Sequence, residues 1–343
     1  MHTTPGAGSN TGTETTTTDG AKDEPLTCDA VVIGGGAAGL NGALVLARAR
    51  RSVVVVDAGQ PRNAPADHVH NYLGREGAAP AELYASGRDE VAGYGGTVVE
   101  ATTTAVRQEG DGLFRVELDN GRVLRARRIL AATGVRDILP EVPGIRERWG
   151  SAVLHCPYCH GWEVRDKAIG ILALDLEVAM HQALLWRQWS ADVVLFLHTA
   201  GTPDANQAEQ LAARGIRTVA GEVAALEGNA AGVRLVGGTL VERDALVVFT
   251  RLEAQAGYLA PLGIVPEQQF RGELAFGTAV PADAAGATAV SGVYAAGNLA
   301  APMVQVIAAA AAGLMAGAAI NGDLAAEDTA LAVAALAGSA ARA

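Results

Sequence analysis

The sequence contains few cysteines and few aromatic residues. Only Cys28, Cys156 and Cys159 occur among 343 residues, and Phe, Trp and Tyr together make up 4% of the chain. Three cysteines cannot build the disulfide framework of a small secreted protein, and in a reducing cytoplasm a close pair is more often catalytic or metal-binding than structural. Half of the residues are hydrophobic and 42 are glycine, a composition typical of a glycine-turned α/β protein.

Positive charge is also scarce. Lys and Arg number 26 against 37 Asp and Glu, which gives a net charge of −11. Because no basic stripe is present, binding to nucleic acid or to an anionic membrane is disfavoured. The longest apolar run, residues 304–319, is short and is broken by Gly313 and Gly317, so it predicts no membrane-spanning helix. The N-terminal region lacks the basic start and apolar core of a secretory signal, and we therefore expect a cytoplasmic protein.

The length of the chain suggests about two domains. Residues 1–26 are rich in threonine and predict a disordered lead. Residues 28–59 then follow the pattern of a βαβ unit, and Cys28 is expected to precede its first strand and to take no part in chemistry. The segment ILPEVPGIRERWG predicts a hinge, and a second strand–turn–helix–strand unit follows it. The last helix is predicted from Met303 to about Asn321, and the tail, residues 325–343, has room for a further short helix.

A glycine motif lies between the first predicted strand and the first helix. Gly34, Gly36 and Gly39 fit the pattern G-x-G-x-x-G, and Asp57 ends the next strand 21 residues after Gly36. Glycines allow a tight turn and let the backbone approach a pyrophosphate, which binds at the helix N-terminus. An acidic residue at the end of the second strand can accept hydrogen bonds from a ribose. The motif predicts a dinucleotide site but does not distinguish FAD from NAD(P).

The segment LHCPYCHGWEV places two cysteines three residues apart. Residues i and i+3 of a helical turn share a face, and Pro157 favours a helix that begins directly after Cys156, where a thiolate is stabilised. A metal site is the first alternative, but His155, Cys156, Cys159 and His160 lie within six residues and cannot easily surround one tetrahedral ion. Buried inert thiols are the second alternative. We predict a redox-active pair.

Several motifs together resemble one family. AATG at 131–134 and GVYAAGNLA at 292–300 resemble later FAD signatures of the pyridine nucleotide–disulfide oxidoreductases, while VVVVDAGQPRN, HVHNYLG and CPYCHG resemble stretches of the low-molecular-weight thioredoxin reductases. The resemblance implies an α/β fold with two Rossmann-like three-layer domains of the FAD/NAD(P)-binding type, in a homodimer. It further implies a discontinuous FAD-binding domain, residues 27–140 and 251–324, and an inserted domain, residues 141–250, that carries the cysteines.

The same resemblance implies roles for individual residues. Cys159 would face the flavin, Cys156 would exchange disulfides with the substrate, and His160 stands where the family has an acidic acid–base residue. Imidazole titrates near neutrality and can transfer the same proton; His155 is a weaker candidate. Asn298 departs from the usual Asp, and an amide can still accept a hydrogen bond while making the site less negative. The implied FAD contacts are Gly34, Gly36, Gly39, Asp57, Asn71, Gly134, Gly297, Asn298 and Gln305.

The second strand–turn–helix unit lacks the features of a nicotinamide site. Ala173, Leu174 and Asp175 fall where the family has its second glycine cluster, and a carboxylate there repels phosphates. After His198, the arginines that hold a 2′-phosphate are replaced by Thr199, Ala200 and Gly201. In the helix that follows the turn, Trp186 and Trp189 have helical spacing and indicate packing, with a substrate pocket or dimer interface as the alternative use.

These observations predict an FAD-dependent thiol–disulfide oxidoreductase. The lost nicotinamide site favours resemblance to the dithiol oxidases of gliotoxin and holomycin pathways, in which a small-molecule dithiol reduces the cysteine pair and O2 is the electron acceptor. The alternatives are an NAD(P)H-dependent or ferredoxin-dependent thioredoxin reductase, and a non-enzymatic flavin and thiol redox sensor. No metal, nucleic acid or membrane partner is expected.

Overall fold

The computed structural model describes residues 26–228 and 230–340. Of the predicted disordered lead only Leu26 is among them, so that prediction lies outside the described residues. Within these ranges, helices alternate with strands in two stretches of the chain, and a run of consecutive strands follows each stretch. The helices are α1 (Ala37–Arg48), α2 (Pro80–Gly93), α3 (Pro157–His160), α4 (Leu176–Trp186), α5 (Ala205–Ala213) and α6 (Val306–Ala340). The strands are β1 (Leu26–Ile33), β2 (Val53–Asp57), β3 (Thr97–Glu100), β4 (Thr103–Gln108), β5 (Phe114–Leu118), β6 (Val123–Ala131), β7 (Val135–Ile138), β8 (Val153–Leu154), β9 (Ile169–Leu172), β10 (Val193–Phe196), β11 (Arg217–Val219), β12 (Val223–Glu227), β13 (Gly232–Leu235), β14 (Leu240–Val241), β15 (Ala245–Val248), β16 (Arg251–Ala254), β17 (Glu267–Arg271), β18 (Leu274–Ala279) and β19 (Val293–Ala295).

The first sheet has the strand order β3-β2-β1-β6-β5-β4, and β19 pairs with β6. Strands β1, β2, β3, β6 and β19 run parallel, with Ala30 opposite Val53 and Ile33 opposite Ala131. Strands β1 and β2 are rich in valine because both of their faces are buried. The carboxyl ends of these parallel strands meet at one edge of the sheet, which is where ligands bind in open α/β sheets.

The second sheet is parallel and has the order β11-β10-β9-β15-β8. Helix α4 follows β9, and α4 buries Trp186 completely against this sheet. The two connecting segments between the first and second sheets, β7 and β16, pair antiparallel with each other in a smaller sheet. The predicted fold class, two Rossmann-like α/β units, is confirmed; the division at residues 140/141 and 250/251 remains a prediction.

Helix α6 is longer than predicted. It begins at Val306 rather than Met303 and continues past Asn321 to Ala340. The carboxylates of Asp323 and Asp328 on α6 pair with arginines on β6 and on the loop before β2, and these ion pairs hold the helix where the sequence predicted a tail. Gly313 and Gly317, which interrupt the apolar run in the sequence, do not interrupt the helix and let it pack closely on α1. A Cβ at Gly313 would lie 1.9 Å from the carbonyl oxygen of Ala38 on α1, so the two helices approach closely there.

By length and composition, one helix in the described ranges, Val306–Ser339, is apolar enough to cross a membrane. A third of its most apolar stretch is buried inside the protein, and core helices of water-soluble proteins pass the same test. The expectation that the protein has no membrane partner remains a prediction.

Cys28 lies inside β1 and does not precede it, which corrects the expectation from the sequence. Its thiol is buried and donates to the carbonyl oxygen of Ala30 at 3.3 Å. Burial raises the pKa of Cys28 to about 12, so this thiol stays protonated at neutral pH.

Candidate active site

The glycine motif forms a turn between β1 and α1 that fits a dinucleotide. Gly34 has a φ of +108°, and a Cβ there would lie 2.5 Å from the carbonyl oxygen of Ala132. A Cβ at Gly39 would lie 1.8 Å from the carbonyl oxygen of Gly34, so the helix packs directly on the turn. Gly36 caps α1, and in the described ranges no atom beyond its chain neighbours and the helix backbone lies within 4 Å of the position of a Cβ there. The helix N-terminus therefore has room for a pyrophosphate at Gly36 while the neighbouring glycines are tightly packed.

Other predicted FAD contacts lie at the same edge of the sheet. Asp57 ends β2, and its Oδ1 accepts a hydrogen bond from the Gly35 amide at 3.2 Å. Gly134 follows β6 and Gly297 follows β19, with φ values of +69° and +67°. A Cβ at Gly297 would lie 2.7 Å from that of Ala38 on α1. These backbone positions therefore converge around the start of α1, and they fit FAD, whose adenine dinucleotide half needs this arrangement.

Asn298 has a structural use that an aspartate cannot fulfil. Its amide Nδ2 donates to the carbonyl oxygens of Pro302 at 2.8 Å and Val304 at 2.9 Å. A carboxylate only accepts hydrogen bonds at neutral pH. The amide thus holds the turn before α6, and its oxygen is the part that can accept from a flavin hydroxyl. The sequence identified this departure but not its effect on the turn.

The two cysteines of the predicted redox pair flank the first turn of α3. Cys156 caps the helix, Pro157 is its first residue as predicted, and the Sγ atoms of Cys156 and Cys159 are 2.7 Å apart. The hydrogen bond from Cys159 lowers the pKa of Cys156 to about 7, against the opposing effect of burial. The same contact and burial raise the pKa of Cys159. Cys156 is therefore the thiolate of the pair near neutral pH.

Two predicted FAD contacts touch this cysteine turn. The side chain of Gln305, directly before α6, hydrogen-bonds to Cys156 and helps to lower its pKa. Asn71, with a φ of +60°, donates from Nδ2 to the carbonyl oxygen of Tyr158 at 2.7 Å. The structure thus brings the predicted redox pair and part of the predicted flavin site together. The individual roles of these residues remain predictions.

The two histidines beside the cysteines differ in their surroundings. His155 is held by a 3.3 Å contact between its Nδ1 and the carbonyl oxygen of Val248, and its ring stacks on Phe249 at 5.5 Å. Neither ring nitrogen of His160 is in hydrogen-bonding geometry with a partner in the described part of the chain. Burial lowers the pKa of His160, with Glu163 opposing this effect. A neutral imidazole at this position can accept a proton from a substrate thiol.

An ion pair that sequence analysis did not identify lies close enough to the cysteine segment to influence its charges. Arg62 binds Asp137 through two hydrogen bonds of 2.6 and 2.7 Å, and Thr250 donates to the same carboxylate at 2.7 Å. The positive charge of Arg62 acts to lower the pKa of Cys159 and that of His155. Arg62 belongs to the quoted motif VVVVDAGQPRN, but its partner, Asp137, is 75 residues away in sequence.

The turn between β9 and α4 differs from the first glycine turn. Asp175 caps α4, and its Oδ1 accepts a hydrogen bond from the Val178 amide at 3.0 Å. Leu174 stands beside it and lines a cavity of about 300 Å³ whose walls are mostly apolar. Farther on, His198 accepts a hydrogen bond from the Val223 amide through Nδ1 at 3.0 Å. The N-terminus of α4 therefore already binds a carboxylate of its own chain, which disfavours a phosphate there.

Among the residues that the structure describes, no three His, Cys, Asp or Glu side chains are placed to hold a metal ion. The metal alternative for the cysteine segment therefore has no structural support there.

Comparisons with known proteins agree with this site. Residues 28–313 match the family model for pyridine nucleotide-disulphide oxidoreductases. The thioredoxin reductase tcpT of Claviceps purpurea is 31% identical over 298 residues, which cover 81% of this chain and 88% of that protein. The crystal structure of HlmI superimposes with a TM-score of 0.83 at 43% identity, covering 91% of this chain and 96% of that one. An oxidoreductase from Agrobacterium tumefaciens gives a TM-score of 0.81 at 37% identity, covering 87% and 99% of the two chains.

The family match covers most of the described chain, and the FAD turn and cysteine pair stand within it. The chain therefore belongs to the pyridine nucleotide-disulphide oxidoreductases, as a thioredoxin reductase-like flavoprotein that uses FAD and acts on thiols or disulfides.

Proposed function

We propose that the protein is a dithiol oxidase that forms a disulfide in a small molecule, with O2 as the electron acceptor. The observation that carries this proposal is the cap of α4. Asp175 binds the helix N-terminus that an NADPH pyrophosphate would need, whereas the N-terminus of α1 is open at Gly36. The overall reaction joins the two sulfurs of the substrate and transfers two electrons and two protons to O2, which gives hydrogen peroxide.

The cysteines would perform the exchange with the substrate. In the oxidised pair, a substrate thiolate attacks Sγ of Cys156, and the bond to Cys159 breaks. The second substrate thiolate then attacks the substrate sulfur of this mixed disulfide, and Cys156 leaves as a thiolate. A pKa of about 7 makes Cys156 a good leaving group, because low-pKa thiols leave faster.

Proton transfer would fall to His160. The substrate thiols must lose protons before they attack, and the buried His160 ring lies beside the Cys156 backbone with neither nitrogen in good hydrogen-bonding geometry within the described ranges. Its lowered pKa keeps the ring neutral at pH 7, so it can accept a proton. Glu163 and His70, which lie 3.4 Å apart, are near enough to influence its charge.

The chain's own residues also suit the cofactor. Gly34, Gly36, Gly39 and Asp57 would hold the dinucleotide, and Gln305 would stand between the flavin side and Cys156. The chemistry that bound FAD supplies is two-electron exchange between the cysteine pair and an acceptor.

An anaerobic titration of the purified holoenzyme tests the proposal. Dithiothreitol should bleach the flavin absorbance near 450 nm, and NADPH and NADH at millimolar concentration should leave it unchanged. Cys156→Ser should abolish bleaching by dithiothreitol, and admitted oxygen should restore the colour of the wild-type protein with formation of hydrogen peroxide. Rapid bleaching by NADPH would contradict the proposal.

A second candidate is an NAD(P)H-dependent disulfide reductase. It is favoured by the name of the relative tcpT, a thioredoxin reductase. The same titration distinguishes the two candidates. The homodimer and the cytoplasmic location remain predictions from the sequence.

A further inference from the structure

We propose that Trp162 and Tyr158 form an aromatic platform that selects dithiols carrying a flat apolar ring. This inference rests on the proposed oxidase function and concerns its substrate. The platform consists of these two rings, which lie within and directly after the cysteine turn.

Two of the exposed aromatic side chains in the described ranges belong to the cysteine segment. Trp162 is 65% exposed and Tyr158 is 56% exposed, although aromatic residues make up only 4% of the sequence. Leu73, which is 92% exposed, lies two residues after Asn71, and Asn71 binds the carbonyl oxygen of Tyr158. Single exposed apolar side chains are common, whereas three on the segments that carry or touch the cysteine turn indicate a binding surface.

Each ring of the platform has one fixed partner. The guanidinium of Arg165 lies 4.2 Å from the centre of the Trp162 ring, and its Nη1 donates to the Trp162 carbonyl oxygen at 2.7 Å. The rings of Tyr158 and Trp189 make an edge-to-face contact, with their centres 5.8 Å apart and an interplanar angle of 86°. Rings that are held in place before binding lose less entropy when a ligand stacks on them.

Trp189 also fixes the cysteine turn itself. A Cβ at Gly161 would lie 2.7 Å from the Trp189 ring and 2.5 Å from the carbonyl oxygen of Pro157. Trp186, in contrast, is fully buried and donates from Nε1 to Gln182. Trp186 therefore serves packing, whereas Trp189 contacts both the Tyr158 ring and the cysteine turn.

The position of the platform explains why a substrate would use it. Tyr158 stands between the two cysteines in sequence, and Trp162 follows Cys159 by three residues, in the turn directly after α3. Offset or edge contacts between aromatic rings add to the gain from apolar burial. A ring resting on Trp162 and Tyr158 would bring thiols attached to it near Cys156.

The test compares two dithiols that both close to six-membered cyclic disulfides. One is 1,2-benzenedimethanethiol, which has a flat ring, and the other is dithiothreitol, which has none. The measured quantity is the ratio of their kcat/KM values from oxygen consumption. We expect a ratio of at least about ten in the wild type, and a fall of about fivefold in Trp162→Ala and in Tyr158→Ala, the size expected for one lost aromatic contact.

Tyr94→Ala is the matched control. Tyr94 is 55% exposed and lies beneath the guanidinium of Arg48 at 5.4 Å, as Trp162 does beneath Arg165, but it stands at the end of α2. This variant should keep the wild-type ratio. A ratio unchanged in Trp162→Ala and Tyr158→Ala, or lowered equally in Tyr94→Ala, would overturn the platform.

A binding measurement separates failure of the platform from failure of the oxidase proposal. Calorimetric titration of the wild type and Trp162→Ala with the cyclic disulfide of 1,2-benzenedimethanethiol needs no turnover. If neither dithiol consumes oxygen, the oxidase proposal fails, and about fivefold weaker binding in Trp162→Ala still supports the platform. Equal binding by both proteins refutes it. A Trp162 dependence confined to a protein substrate such as reduced thioredoxin also refutes it.

Discussion

Two strand–turn–helix units in this molecule have the same topology and opposite helix caps. In β1–α1–β2 the turn ends at Gly36, which leaves the N-terminus of α1 open. In β9–α4–β10 the turn ends at Asp175, whose carboxylate binds the N-terminus of α4 at the Val178 amide. Both helices follow a buried parallel strand and run back to another one.

The difference shows that the fold alone does not decide what a helix N-terminus binds. Its unpaired amides and partial positive charge can hold a ligand phosphate or an internal carboxylate, but not both. One side chain at the capping position selects between these uses. In this chain the first unit still fits FAD. In our proposal, the second unit no longer binds a nicotinamide nucleotide.

The largest expected effect comes from making the first unit like the second. Gly36→Asp should fold, because Gly36 has an extended backbone and no atom within 4 Å of a Cβ position. The new carboxylate would face the pyrophosphate, and two unit charges about 4 Å apart near a protein surface repel by about 4 kcal/mol. We expect the purified variant to have lost FAD, measured as flavin absorbance per protein after gel filtration.

Gly36→Asn is the control for size. It adds a side chain of equal volume without charge, so it should bind FAD more weakly than the wild type but at least about tenfold more tightly than Gly36→Asp. Circular dichroism must show that both variants are folded. Full retention of FAD by folded Gly36→Asp would show that a carboxylate at the helix cap does not exclude a phosphate.

The reverse exchange should have a smaller effect. Leu174→Gly combined with Asp175→Asn removes the bulky side chain and the charge but keeps a capping oxygen. The wild type should bind NADPH very weakly, and we expect this variant to bind it about thirtyfold more tightly. This gain corresponds to about half of the repulsion between two unit charges at about 4 Å. Fluorescence titration with NADPH measures this gain, and Asp175→Asn alone separates charge from size. Micromolar NADPH binding by the wild type would contradict the comparison from the outset.

The sequence predicts local features of the site better than distant ones. The FAD turn could be predicted because Gly34 and Gly39 obey a local rule, namely that no side chain fits beside the strand and turn. The ion pairs that hold the middle of α6 could not, because Asp328 meets Arg51 and Arg127 from elsewhere in the chain.

The same limit applies within the site. Sequence spacing placed Cys156 at a helix start, but it gave no information on Arg62 and Asp137, whose pairing depends on tertiary structure. It identified Asn298 as a departure from the family, while the two carbonyls that its amide holds are visible only once the turn before α6 has formed.

A third helix start, that of α3, sharpens the comparison because its cap is a thiolate. Cys159→Ala removes the donor that lowers the pKa of Cys156, so this pKa should rise from about 7 towards the ordinary value of a thiol. The thiolate is the reactive form, and its fraction at pH 7 should then fall about fivefold. The pH dependence of alkylation by iodoacetamide measures this change.

Cys159→Ser is the control for Cys159→Ala, because serine keeps a donor at the same position. In Cys159→Ser, the rate at which Cys156 is alkylated should rise with pH with a midpoint near pH 7. Cys28 should not interfere, since it is buried and its pKa is raised to about 12. Identical midpoints in the two variants would show that the backbone of α3, and not Cys159, sets the pKa of Cys156.

The smallest effect concerns the stability that the Asp175 cap contributes. Asp175→Ala leaves the first-turn amide of Val178 without its acceptor, and loss of such a cap costs about 1 kcal/mol. Asp175→Asn keeps an oxygen acceptor, so its free energy of unfolding should fall by at most a few tenths of a kcal/mol. Chemical unfolding followed by circular dichroism gives both values. If Asp175→Ala were as stable as the wild type, the carboxylate would be free to leave the helix N-terminus at no cost, and α4 would be as open to a phosphate as α1.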